Sequence, residues 1–213
     1  YHLTGRGLVT TLDNFGAMGQ RPSHPELLDH LAIGFQENGW SVKSLVRSIV
    51  LSRTYQLSSH PTTAGTAADP DNSLLWRMNH RRLDAEAIRD AMLATSDRFN
   101  STMGGQPIPL KYRRDGVASF DTEKLANPGS PWRRSVYLFQ RRVYHLTVQG
   151  VFDQPTIAGS ICRRSASAVT LQSLSMLNDA LALEQAEQFA VRVWQQSGRS
   201  PTEQITLAFQ VAL

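Results

Sequence analysis

The sequence predicts a mainly α fold in which helical hairpins pack around a short β element and long irregular loops join them. Three observations carry that expectation. Apolar residues recur at helical spacing in several separate segments. A single stretch, 133–144, is β-branched and bulky without a helical stripe. Between these lie Gly-, Pro-, Ser- and Asn-rich passages.

The first helix starts around Ser23-His24-Pro25-Glu26, where the Ser can cap, the Pro suits the first turn and the Glu can close a capping box. Leu27, Leu28, Leu31, Ala32 and Phe35 form its apolar face, and Asn38-Gly39 ends it. A second helix begins after Trp40-Ser41, with Val42, Leu45, Val46, Ile49 and Val50 at i, i+3, i+4, i+7 and i+8. The two make a helical hairpin. The passage 58–71 reads as an exposed loop and the best internal linker. A second helical unit is expected over about 69–99, with Asp84 as N-cap and Ile88, Ala91, Met92 and Thr95 on one stripe. Residues 100–131 hold Gly104-Gly105, Pro107, Pro109 and Asn127-Pro128-Gly129 and read as an irregular excursion. The strand candidate follows, then another turn-rich passage to Ser165. A long helical stretch from about Ser167 to Gln196, broken near Asn178-Asp179, comes next, and a last helical pattern begins at Ser200-Pro201-Thr202-Glu203.

Composition narrows the function. The 213 residues carry 22 basic and 18 acidic side chains, a net charge of +4 that is too mild for a nucleic-acid footprint. Only Lys43, Lys111 and Lys124 among the cations are lysines, so planar bidentate pairing by arginine is available throughout. The single cysteine, Cys162, excludes an internal disulfide framework and the C-x-x-C-H attachment of a c-type haem within this stretch. There is no apolar run long enough to span a bilayer. The chain opens at Tyr1 without an initiator Met and stops at Leu213 inside a helical pattern, so it reads as an excerpt cut at both ends.

Arginines carry the strongest candidate site. Arg133, Arg134, Arg141 and Arg142 flank the bulky segment, with Tyr137 and Phe139 between them; on a strand, Arg133 and Arg141 would share a face roughly 26 Å apart. That array could grip an anionic polymer such as an acidic polysaccharide. It could equally fasten layers by pairing with Asp84, Glu86, Asp90 and Asp153, and this structural use is the favoured reading. Cys162-Arg163-Arg164 sets a thiol beside two cations, which can favour a thiolate. No histidine lies near in sequence, so a small buried residue is expected instead. His24 lacks a second ligand at i+4 and reads as a side chain of the capping region. Gly104-Gly105 reads as a turn rather than a phosphate loop.

Blocks spread along the chain also carry a resemblance: Gly5-Arg6-Gly7-Leu8-Val9, Asp13-Asn14-Phe15-Gly16, Arg21-Pro22-Ser23-His24-Pro25-Glu26, Ser52-Arg53-Thr54-Tyr55, Arg81-Arg82-Leu83-Asp84-Ala85-Glu86, Met103-Gly104-Gly105, Trp132-Arg133-Arg134-Ser135-Val136-Tyr137, Val151-Phe152-Asp153, Cys162-Arg163-Arg164 and Leu177-Asn178-Asp179. In this order they resemble the PSD-one domain, the C-terminal domain of unknown function in large planctomycete-type proteins that often carry cytochrome c modules toward the N-terminus. The resemblance implies one domain over 1–213, a periplasmic or extracellular location, and haem c, if present, in a companion N-terminal module. It transfers no catalytic residues. The leading expectation is a non-catalytic domain that packs with, or binds for, a cytochrome c or carbohydrate-related module of the same polypeptide. The alternative is a hydrolase or lyase acting on acidic polysaccharide, with the arginines, Tyr137 and Asp153 binding substrate.

Overall fold

The computed structural model describes every residue except 115, 126, 141–145, 156–160, 199 and 213. The chain divides into two compact units, Tyr1–Arg82 and Leu83–Leu213. Among the described residues it holds eight α-helices and one two-stranded sheet, so the fold is mainly helical.

In unit 1, α1 (Pro25–Glu37) and α2 (Val42–Val50) pack together across a short turn. Gly39 at φ 66° and Trp40 at φ 60° turn the chain, and the Trp40 N–H reaches the Phe35 carbonyl at 2.9 Å. Gly39 takes that conformation freely, whereas Trp40 is held in it with its ring edge-on to Phe35, the centroids 5.3 Å apart. Ser41 caps α2 by accepting from the Ser44 N–H at 3.3 Å. Ser23 is not the cap of α1. That position belongs to His24, whose side chain makes no capping bond, and Pro25 takes the first helical turn. Neither helix has a fully buried residue, so the apolar faces read from the sequence are only partly covered.

The passage 58–71 is more ordered than its composition suggests. Thr62 caps a short helix, α3 (Thr63–Ala68), and Gly65 lets the Trp76 ring lie against it, where a Cβ would fall 2.5 Å from the ring. Asp69 then accepts from the Ser73 and Leu74 N–H groups, and these bonds hold its carboxyl below the usual carboxylate range. The expected helix over 69–99 therefore shrinks to α4 (Ala85–Thr95). Asp84 occupies its N-cap position without a capping bond.

Unit 2 is built around α4. A core of Ala85, Ile108, Leu110, Ala118, Leu138, Leu146, Val148 and Phe152 joins α4, the sheet and α5 (Thr147–Val151). Each large member contributes about 1.5–3 kcal/mol when fully buried. The sheet lies where an irregular loop was expected. β1 (Leu110–Tyr112) pairs antiparallel with β2 (Ala118–Phe120), Leu110 opposite Phe120 and Tyr112 opposite Ala118. Over 133–140, the described part of the bulky segment, the chain is not a strand. Ser135–Tyr137 closes a 3-10 turn, with the Tyr137 N–H on the Arg134 carbonyl at 3.0 Å, and in place of a ladder the described segment makes isolated bridges, Asn100 to Arg133 and Ile108 to Leu138. The physical reason is tertiary: α4 grips Ser135 and Arg133 at points that a strand would leave to a ladder. The expected shared-face spacing of Arg133 and Arg141 lies outside the described residues, since Arg141 is not among them.

The later helices follow the sequence more closely. α6 (Thr170–Asn178) and α7 (Ala180–Gln196) break at Asp179, which caps α7 through the Leu181 N–H at 2.9 Å. α8 spans Pro201–Ala212.

Candidate functional site

Arg89 of α4 is the hub of unit 2. Its side chain is only 1% exposed and is among the largest fully buried ones. One amino group donates to the Arg133 carbonyl at 3.0 Å and to Ser135 Oγ at 3.1 Å, and the other donates to the Pro131 carbonyl. The guanidinium also faces the Phe120 ring, 5.7 Å from its centroid. Burial pushes its pKa down to about 10, against the opposing pull of Asp90 at 3.7 Å, so Arg89 stays cationic at neutral pH. Asp90 completes the clamp by accepting from both the N–H and the hydroxyl of Ser135, each at 2.7 Å.

Arg133 continues the same construction outward. It is buried, lies 3.9 Å from the Tyr137 ring centroid, and donates to the carbonyls of Thr102 at 3.3 Å, Gln106 at 3.0 Å and Gly104. Tyr137 closes the circuit, its hydroxyl accepting from the Gly104 N–H at 2.8 Å. Together Arg89 and Arg133 bind five backbone carbonyls of segments without regular pairing, groups that would otherwise be costly to bury.

The remaining candidates are dispersed. Arg134 is exposed and reaches Asp90 at 3.9 Å. Arg164 makes a bidentate pair with Glu86, at 2.5 and 3.1 Å, with Asp84 at 3.9 Å. This pairing raises the Arg164 pKa. At Glu86 burial pushes the pKa up, yet the bonds from Arg164 and from its own backbone N–H outweigh burial and leave it lowered. The Asp153 carboxylate receives the N–H and hydroxyl of Ser167 at 2.8 and 2.9 Å. Arg163 and Cys162 are exposed, so the expectation of a buried thiol fails. Arg141 and Arg142 lie outside the described residues. The expected fasteners thus act on carbonyls as much as on carboxylates: Arg134 and Arg164 meet acids, whereas Arg133 meets three carbonyls and a ring.

Arg89 was not among the residues singled out from the sequence, and two further arginines that the sequence reading passed over do similar work. Arg98 pairs with Glu184 of α7 at 2.5 Å while stacking 3.9 Å from the Trp132 ring centroid. Arg192 of α7 donates to the carbonyls of Ala94 and Thr95, closing the C-terminal end of α4. Single arginines carry no spacing signal, and nothing in the sequence distinguished them.

A cleft lies in unit 1. The chain from Leu3 to Leu8, the facing sides of α1 and α2, and Leu75 surround a cleft of about 620 Å³. Leu27, Leu31, Val46 and Ile49 supply apolar wall, and Arg6, His24, His30 and Tyr55 supply polar wall. Its size falls within the range of binding pockets. A smaller cavity of about 430 Å³ in unit 2 contains Asp179 and Glu184, both already engaged, the first as the α7 cap and the second with Arg98. Among the described residues, no group of three or more His, Cys, Asp and Glu side chains could hold a metal ion. No described helix is long and apolar enough to cross a membrane.

No curated protein and no solved structure gives a significant match to the chain. A family model does: PSD1, described as a protein of unknown function (DUF1553), matches residues 1–213. Because that match runs from end to end, across both the arginine frame and the open cleft, the chain belongs to the PSD1 family.

Proposed function

We propose that this chain is a non-catalytic docking domain of a larger exported polypeptide, in which unit 1 holds a neighbouring cytochrome c or carbohydrate-related module while the arginine frame keeps the loops of unit 2 in place. The observation that carries the reading is the incompletely covered apolar face of the α1–α2 hairpin. Val42 is 63% exposed and Trp40 64%, and neither helix buries a residue fully. A large apolar side chain left half-covered forgoes about 1 kcal/mol of burial, so a partner that closes the face recovers several kcal/mol. The inward use of Arg133 supports packing over substrate grip, because its donors are spent on Thr102, Gly104 and Gln106. Any haem c would belong to the neighbouring module, since one cysteine cannot form a two-thioether attachment.

Hydrogen exchange tests the proposal. Amides of α1 and α2 are compared in this chain alone and in a longer polypeptide that includes the neighbouring modules. Protection of α1 and α2 that rises at least tenfold in the longer polypeptide supports docking. Equal exchange in both would remove it.

A further inference from the structure

The small sheet of unit 2 has one edge that is met by the chain and one that is not. On either side of the paired residues, the Arg113 N–H meets the Val117 carbonyl and the Asp121 N–H meets the Pro109 carbonyl, each at 3.0 Å. Bonded pairs alternate along an antiparallel ladder, so Ser119, opposite Lys111, is the β2 residue that exchanges bonds with β1. The N–H and carbonyl groups of Ala118 and Phe120 therefore point away from β1. The outer side of the first strand is engaged just before Leu110, where the Ile108 N–H meets the Tyr137 carbonyl at 2.6 Å and the Phe139 N–H meets the Ile108 carbonyl at 2.9 Å. Among the described residues, nothing pairs with the outward main-chain groups of Ala118 and Phe120.

That free edge lies against the cavity of about 430 Å³. Residues 117–120 all line it, whereas a cavity over one face of a strand would meet alternate residues, so the cavity follows the edge. The starts of α5 and α7 form the other walls, with Leu146, Val148 and Leu181 as apolar surface. Ala118 is only 7% exposed, and main-chain groups held unpaired beside apolar walls are costly. Asp179 holds the Leu181 N–H and Glu184 pairs with Arg98, so the cavity offers main-chain bonds and apolar contact rather than a charge.

We propose that an extended, uncharged peptide segment of a partner polypeptide enters this cavity and adds to β2 as a further strand. Ala118 and Phe120 present two donor and acceptor sets about 6.8 Å apart, the repeat of an extended chain. A helix cannot match them, because its own N–H and carbonyl groups are bonded within it. The β2 edge of a second copy cannot reach them, because it is recessed between the same two helices. β2 spans three residues, about 10 Å, so a segment of four or five residues fills the register. Its side chains on the Ala118 side of the sheet continue the core layer of Leu146 and Val148, against which Leu181 packs. This site is separate from the α1–α2 face, and its test leaves the docking of a module on unit 1 untouched.

A blocked peptide of about five residues, alternating valine and threonine, tests the proposal when titrated to ~1 mM into the isotope-labelled whole chain. The amide resonances of Ala118 and Phe120 should shift and their hydrogen exchange slow at least about tenfold, while the Ser119 amide, already bonded to β1, changes little. Two further peptides carry N-methyl groups on the valine amides or on the threonine amides. Only one alternate set faces β2, so their affinities should differ at least about tenfold. Unshifted Ala118 and Phe120 amides, or equal binding of the two methylated peptides, would overturn the proposal, the second result showing that the cavity is filled without strand pairing.

Discussion

Replacing Arg89 with Met removes the guanidinium from unit 2 while keeping much of its apolar stem. The carbonyls of Pro131 and Arg133 then lose their donors in a buried setting, and Ser135 loses one of its three hydrogen bonds to α4. Hydrogen bonds from a charged group contribute ~1.5–3 kcal/mol each, so three represent a gross ~5–9 kcal/mol. The relieved desolvation of a buried cation offsets several kcal/mol of that. The expected net loss is ~3–5 kcal/mol, comparable with breaking a buried charged network by removing one partner. Against a domain stability of ~5–15 kcal/mol this is a large fraction. Urea titration followed by circular dichroism measures it, at neutral pH, where a pKa of about 10 keeps Arg89 charged. Arg89→Lys should recover part of the loss, since one ammonium cannot span the fork that reaches Pro131 and Arg133. A loss below ~1 kcal/mol for Arg89→Met would refute the frame as a source of stability.

Further predictions follow from neighbouring features. Arg133→Met should free 102–106, accelerating exchange of the Gly104 N–H at least tenfold with little change in helical signal, because the released segment contains no helix. The Glu86–Arg164 pair makes stability depend on acid. The Glu86 carboxyl is lowered in the folded chain, so the unfolded chain binds the proton more tightly, and the contribution is present above the ordinary carboxylate range and lost as pH falls through the folded value. Partial exposure screens it to about 1 kcal/mol, so Glu86→Gln should differ from the parent at pH ~7 and match it near pH ~2 in urea titrations. Gly65→Ala would gain ~1 kcal/mol in an ordinary helix but here drives a methyl into the Trp76 ring, so a net loss of ~1–3 kcal/mol is expected in thermal melts followed by tryptophan fluorescence.

Helical periodicity was the most legible layer. The α2 stripe and the break at Asp179 both depend on residues within a turn of one another, and both appear as read, while the Ser41 cap adds a detail that the sequence reading did not name. Val136-Tyr137-Leu138-Phe139 misled because bulky side chains favour a strand only where a ladder is available; here Arg89 and Asp90 claim the backbone and hydroxyl groups of 131–135 first. The true strands are three residues each, too short for alternation to show, and they join through a turn in which the Gly116 N–H meets the Arg113 carbonyl. The structural reading of the arginines named carboxylates as acceptors, and Arg134 meets Asp90 and Arg164 meets Glu86 and Asp84, but the carbonyls of Thr102, Gly104 and Gln106 that take Arg133 leave no side-chain signature. The cleft was beyond sequence reading altogether. Its walls bring Leu8, Leu31, Ile49 and Leu75 together across most of unit 1, and only folding reveals that the α1–α2 face is left open beside them.

The docking role can be measured most directly as the affinity between this chain and the neighbouring module produced as separate proteins. The parent chain should bind with a Kd in the micromolar range or tighter, and Val46→Asp should weaken it at least about thirtyfold while leaving the melting temperature unchanged, a cost of ~2 kcal/mol for a carboxylate forced into an apolar contact. Absence of binding by the parent chain, or equal binding by Val46→Asp, would contradict the cleft as the docking surface.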